Sequence, residues 1–156
     1  MWWSTPYCIP FRMTQILVVG HGDFATTLVE TARMLTGTAG RAVAVPFPVG
    51  TGVDELTAQV SAALDTLVAA GGAGDDPERV LVLADVAGGS PARVALGEAL
   101  AGRAEVVTGA NLPMLIDALF GAETTPAAEL ARRVAASAQA GIRNLGSQIR
   151  EGGVPA

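Results

Sequence analysis

No lysine occurs in this chain, and one histidine and one cysteine are its entire supply of imidazole and thiol. With only His21 and the remote Cys8 on hand, a metal site built from several nitrogen and sulfur ligands is out of reach. A lone thiol also closes no internal disulfide. The ten cations are all arginine, scattered against fifteen carboxylates for a net charge of −5. That balance excludes the basic face on which nucleic-acid binding depends. Aromatic residues make up 4% of the chain. Although half the residues are hydrophobic and mean hydropathy is +0.41, no uninterrupted apolar run approaches the ~18 residues of a membrane helix. The Gly-x-Ser-x-Gly elbow of serine hydrolases is missing, and so is the P-loop together with its lysine. Gly20-His21-Gly22 does not continue into a dinucleotide-binding GxGxxG. Neither a metal nor an organic cofactor is expected.

What remains is a chain of 156 residues rich in Ala, Val, Leu and Gly, suited to one domain with a full core. Residues 1–12, carrying Trp2, Trp3, Tyr7, Cys8 and Phe11, have neither a basic leader nor the apolar stretch of a signal peptide. They are read as a poorly ordered leader, with a short docking tail as the alternative. Residues 13–150 form the single domain and residues 151–156 a C-terminal tail.

Within the domain, strand and helix patterns alternate. Gln15 to Val19 reads as a buried strand. Phe24, Leu28, Val29, Ala32 and Leu35 follow at helical spacing, and Gly37 is placed to end that helix in the left-handed conformation. Ala42 to Pro46 is a second strand. The next helix carries Val53, Leu56, Val60, Leu64 and Val68 on one face, and Gly71 to Pro77 is a loop by composition. Val80 to Ala84 is unbroken in its apolar character, as befits a central parallel strand covered on both faces. Ser90 and Pro91 read as N-cap and first residue of a third helix. Glu105 to Thr108 is the fourth strand, Asn111-Leu-Pro113 opens a helix with Leu115, Ile116 and Leu119 inward, and a last helix runs from Ala127 to about Ala138. Such alternation with short connections predicts an α/β domain, doubly wound around a mostly parallel sheet of flavodoxin-like kind.

In that architecture ligands gather at the carboxyl ends of the strands, which places three turns on one rim. Gly20-His21-Gly22 brings the only imidazole, able to serve as base, ligand or phosphoryl acceptor near neutral pH. Asp85 either orients His21 by accepting from one ring nitrogen, leaving the other as a directed nucleophile, or caps its own turn. Gly88-Gly89-Ser90-Pro91 combines close backbone approach, a serine hydroxyl and a helix N-terminus. It is therefore either a small anion site suited to one phosphoryl group or an ordinary glycine-rich turn. Asn111 is a ligand wall or an N-cap.

Three segments together, Ile16-Leu-Val-Val-Gly-His-Gly22, Leu83-Ala-Asp-Val-Ala-Gly-Gly-Ser-Pro91 and Val107-Thr-Gly-Ala-Asn-Leu-Pro-Met-Leu115, resemble the mannose-family enzyme IIA of the bacterial sugar phosphotransferase system. The likeness runs from about Met13 to Glu129. It implies a cytoplasmic phosphotransferase component for sugar transport, with a phosphohistidine at His21 loaded by the phosphocarrier HPr and discharged to a separate IIB component. Contact with the membrane would come only through the IIC/IID complex. By the same resemblance Asp85 binds the unphosphorylated ring nitrogen, Gly88, Gly89 and Ser90 receive the phosphoryl oxygens, and the protein is a homodimer. A C-terminal strand, exchanged antiparallel between subunits, would map onto residues 141–145, unless that segment continues the last helix. Ala87 stands where many members carry an aromatic, and Ala92-Arg93 where Phe-Asn is common. Arg93 either adds charge to the phosphoryl site or is a surface residue. The related phosphoryl-donor subunit of a dihydroxyacetone kinase system, and a regulatory module phosphorylated on His21 without onward relay, are the alternatives.

Overall fold

The computed structural model describes residues 13–38, 42–70 and 79–152. The leader with Cys8, the whole Gly71–Pro77 loop and the last four residues lie outside this set. The elements run β1 (Gln15–His21), α1 (Phe24–Thr36), β2 (Ala42–Phe47), α2 (Val53–Ala70), β3 (Val80–Ala84), α3 (Ser90–Leu100), β4 (Glu105–Thr108), α4 (Leu112–Gly121), α5 (Ala127–Ala140) and α6 (Leu145–Arg150).

The four strands are all parallel, in the order β2-β1-β3-β4. Alternation along each central strand divides the core into two layers. Ile16 and Val18 of β1, with Leu81 and Leu83 of β3, face α1, α4 and α5. Leu17 and Val19, with Val80, Val82 and Ala84, face α2 and α3. Every side chain of β3 is fully buried, because a central strand covered on both faces has no solvent side. β2 and β4 are edges, which explains why Pro46 is accommodated inside β2: its missing N–H removes no ladder bond on the outer side.

Two helix faces differ in detail from the periodicity. On α2 the buried stripe is Leu56, Val60, Leu64 and Leu67, with Leu67 in place of Val68. Steps of four residues drift by about 40° each on a helix of 3.6 residues per turn, so the face returns to position 67. Val53, at the first turn of α2, is exposed. On α1 the buried arc is Ala25, Val29 and Ala32; Phe24 and Leu28 pack at its flank, and Leu35 is exposed. Gly37 ends α1 at φ 67°, its N–H bonded to the Arg33 carbonyl.

Ion pairs fasten the helices on each face. Arg103 binds Ser61 and Asp65 of α2 and Glu98 of α3. Asp117 of α4 takes Arg133 and Ser137 of α5. Segment 141–145 is neither an extended strand nor a continuation of α5 in this chain. α5 stops at Ala140, and Asn144 accepts from the Ser147 N–H to cap α6. Among the described residues no helix is long and apolar enough to cross a membrane.

Candidate functional site

The sheet order places the reversal of winding between β1 and β3, since the chain leaves β1 toward one edge and β3 toward the other. A crevice opens there at the carboxyl ends of the strands. His21 is the last residue of β1 and Asp85 follows directly on β3, so the two residues separated by 64 positions in sequence face each other across it.

Asp85 Oδ2 lies 2.7 Å from His21 Nδ1 and also accepts the His21 backbone N–H at 2.8 Å. Oδ1 accepts the Val86 N–H at 2.7 Å. Burial pushes the Asp85 carboxyl up, but the hydrogen bonds from His21 and Val86 and the nearby imidazole outweigh it, so its pKa lies below the ordinary 3.8. An ionised carboxylate only accepts, hence Nδ1 carries a ring proton, and in the neutral imidazole the lone pair is the one on Nε2. One carboxylate thus bonds the ring and backbone of His21 through Oδ2 and its own turn through Oδ1. The histidine side chain is 48% exposed while that of Asp85 is 11% exposed, which leaves the imidazole open to an incoming group and its anchor shielded.

The turn after Asp85 closes the other side of the ring. A Cβ at Gly89 would sit 2.7 Å from His21 Cε1, and Gly88 holds φ 82°. The backbone thus approaches the carbon between the two ring nitrogens at a distance only glycine allows. Gly89, not Ser90, is the N-cap of α3; Ser90 is the first helical residue and Pro91 the second. This register leaves the Ser90 hydroxyl without a capping bond, and the start of α3, a helix end whose first N–H groups lack intrahelical acceptors, follows directly on this turn.

Asn111 is settled as an N-cap: its side chain accepts the Met114 N–H at 3.0 Å. Met114 and Leu115 are core. Arg93, exposed on the first turns of α3, has no hydrogen-bond or ion-pair partner for its guanidinium among the described residues. It lines a shallow groove of 320 Å³ with Ala87, Gly88, Leu96 and Val106.

One residue of the site was not singled out by sequence reasoning. The β1–β2 register sets Phe47 beside His21, with ring centroids 5.8 Å apart and planes inclined by 59°. Its signal was an aromatic at the end of an edge strand, inside Pro46-Phe47-Pro48, and only the pairing register gives that a meaning.

A family model described as EIIA-man, PTS system fructose IIA component, matches residues 15–135. The fructose-specific EIIA component of the phosphotransferase system (PTS) of Bacillus subtilis strain 168 is 32% identical over 108 residues, covering 69% of each chain. The mannose-specific EIIAB component of Escherichia coli K12 is 31% identical over 150 residues; the match takes in 92% of this chain and 43% of that longer protein. Among solved structures, the PTS IIA protein associated with the fucose utilization operon of Streptococcus pneumoniae aligns with a TM-score of 0.75 at 28% identity, covering 88% of this chain and 97% of that one. The mannose/sorbose-specific IIA subunit from Enterococcus faecalis gives 0.74 at 27%, covering 85% and 94%.

Proposed function

The chain belongs to the EIIA-man family of PTS IIA components, and on that premise we propose that it is a phosphoryl carrier of sugar uptake whose carrier atom is Nε2 of His21. The observation that carries this reading is the double contact of Asp85 Oδ2 with the backbone and ring nitrogens of His21. It fixes which ring nitrogen is protonated and turns the other into the nucleophile.

In the proposed step, the Nε2 lone pair attacks the phosphorus of a phosphohistidine on HPr. The new bond from Nε2 to phosphorus forms as the donor's nitrogen–phosphorus bond breaks, and the donor imidazole keeps the electron pair. No redox partner and no water enter. The Nδ1 proton stays in its hydrogen bond, and the ionised Asp85 offsets the positive charge that grows on the ring. Gly88, Gly89, Ser90 and the helix N-terminus receive the equatorial oxygens. Discharge to a IIB component reverses these roles. We further propose that the protein works in the cytoplasm as a homodimer, reaching the membrane only through the IIC/IID complex. The outer edge of β4 pairs with no strand among the described residues and is a place where a second copy would add.

Incubation with phosphoenolpyruvate, enzyme I and HPr, followed by intact mass, tests this. Wild type should gain one acid-labile phosphoryl group and folded His21→Ala none. A gain by His21→Ala, or none by wild type beside fully phosphorylated HPr, would overturn the reading. Loading without discharge to any candidate IIB protein would favour the regulatory module instead.

A further inference from the structure

We propose that Phe47 is a positioning residue, which holds the plane of the His21 imidazole so that Nε2 points into the crevice. This rests on His21 being the carrier. A single hydrogen bond at Nδ1 fixes one ring atom but leaves the plane free to tilt about it. Nearly half the histidine side chain faces solvent, so packing must supply the remaining constraint. On the turn side Gly89 abuts Cε1. On the β2 side the aromatic partner of the ring among the described residues is Phe47, at a centroid distance within the range of paired aromatics.

Phe47 is itself held at both ends. Its side chain packs against the core layer that contains Leu17, Val19 and Val45. Its carbonyl accepts the Gly22 N–H at 2.8 Å, so the turn beyond His21 is tied back to β2. The ends of three neighbouring strands therefore bracket the imidazole: Phe47 from β2, His21 itself on β1, and Asp85 beyond β3. An orientation set before the donor arrives removes that ordering from the transfer step.

Because the chain has one histidine, its imidazole resonances need no separate assignment. The test compares wild type, Phe47→Leu and Phe47→Tyr. Ring order is read by relaxation of the His21 Cε1–H in the unphosphorylated protein. Single-turnover phosphorylation by phospho-HPr is then measured over a range of donor concentrations. Phe47→Leu retains an apolar filler but no flat wall. Its ring order should fall and its limiting rate drop roughly 2- to 10-fold, the size of an aromatic pair contribution, with unchanged half-saturation. Phe47→Tyr should restore both. Phe47→Met serves as a second filler should the leucine variant fold poorly. Native ring order and native rate in a folded leucine variant would overturn the proposal. So would slower transfer with native ring order, or a change confined to half-saturation, which marks a partner contact. Failure of wild type to take phosphate at His21 would sink the carrier reading alone, since ring order is measured without it.

Discussion

Asp85→Asn is the most discriminating change at this site, because it keeps shape and removes charge. The carboxylate accepts from the His21 N–H and ring Nδ1 through Oδ2, and from the Val86 N–H through Oδ1. An amide has one accepting oxygen and one donating nitrogen, so one side must fail. With the oxygen toward His21, the NH₂ opposes the Val86 N–H. With the oxygen toward Val86, the NH₂ confronts the His21 N–H and forces Nδ1 to accept, which moves the ring proton to Nε2 and removes the attacking lone pair. Hydrogen bonds to a charged partner contribute about 1.5–3 kcal/mol each. Loss of one corresponds to transfer slowed by about 10- to 150-fold, at a decade per 1.36 kcal/mol. The tautomeric switch would add to that. Rapid-quench single-turnover phosphorylation at saturating phospho-HPr gives the rate, nitrogen chemical shifts of the one imidazole give the tautomer, and an amide spectrum shows that the fold persists. A folded Asp85→Asn protein with the wild-type rate would refute the argument that this carboxylate prepares the nucleophile.

Other outcomes follow from the same geometry. Gly89→Ala has an ordinary backbone angle but places a methyl 2.7 Å from His21 Cε1; it should slow transfer by about tenfold or more through misplacement of the ring, while thermal unfolding barely shifts. Gly88→Ala meets no neighbour but must hold φ 82°, a strain of about 1 kcal/mol or more; the Tm should fall by about 2–4 °C per kcal/mol, as calorimetry will show. Leu115→Ala, at a fully buried position facing the sheet, should lose about 2–5 kcal/mol in urea unfolding, and a loss below 1 kcal/mol would mean a loosely packed layer. Burial pushes Asp117 up as it does Asp85, but hydrogen bonds from Arg133 and Ser137 and the Arg133 charge bring it below the ordinary 3.8. In the unfolded chain such carboxyls take up protons near 3.8, whereas in the folded protein they stay ionised to lower pH. Their contribution is thus complete above that value and is lost as pH falls through the depressed folded values. Urea midpoints measured toward low pH should decline over that interval, and less steeply in Asp117→Asn; parallel declines would refute the assignment.

Sequence alone was sufficient wherever a residue's role depends on its near neighbours. The bounds of β3 and β4 and the Gly37 cap follow from apolar runs and from a residue whose backbone suits one conformation. The α/β class follows from alternation of two periods. The three rim segments were legible as motifs, and the family comparisons agree with what those motifs resemble. Tertiary structure decided what depends on distance in sequence. Asp85 could be named as a partner for His21, but only the adjacency of β1 and β3 brings its oxygen to the ring. The α3 cap falls at Gly89 and not at Ser90, and only the fold shows that this glycine abuts the imidazole. Phe47 carried no chemical signal in the chain, because a phenylalanine ending an edge strand means little until the pairing register sets it beside the histidine. Local propensity is written residue by residue, whereas register and strand order arise from the whole core packing at once, and it is these that assemble the site.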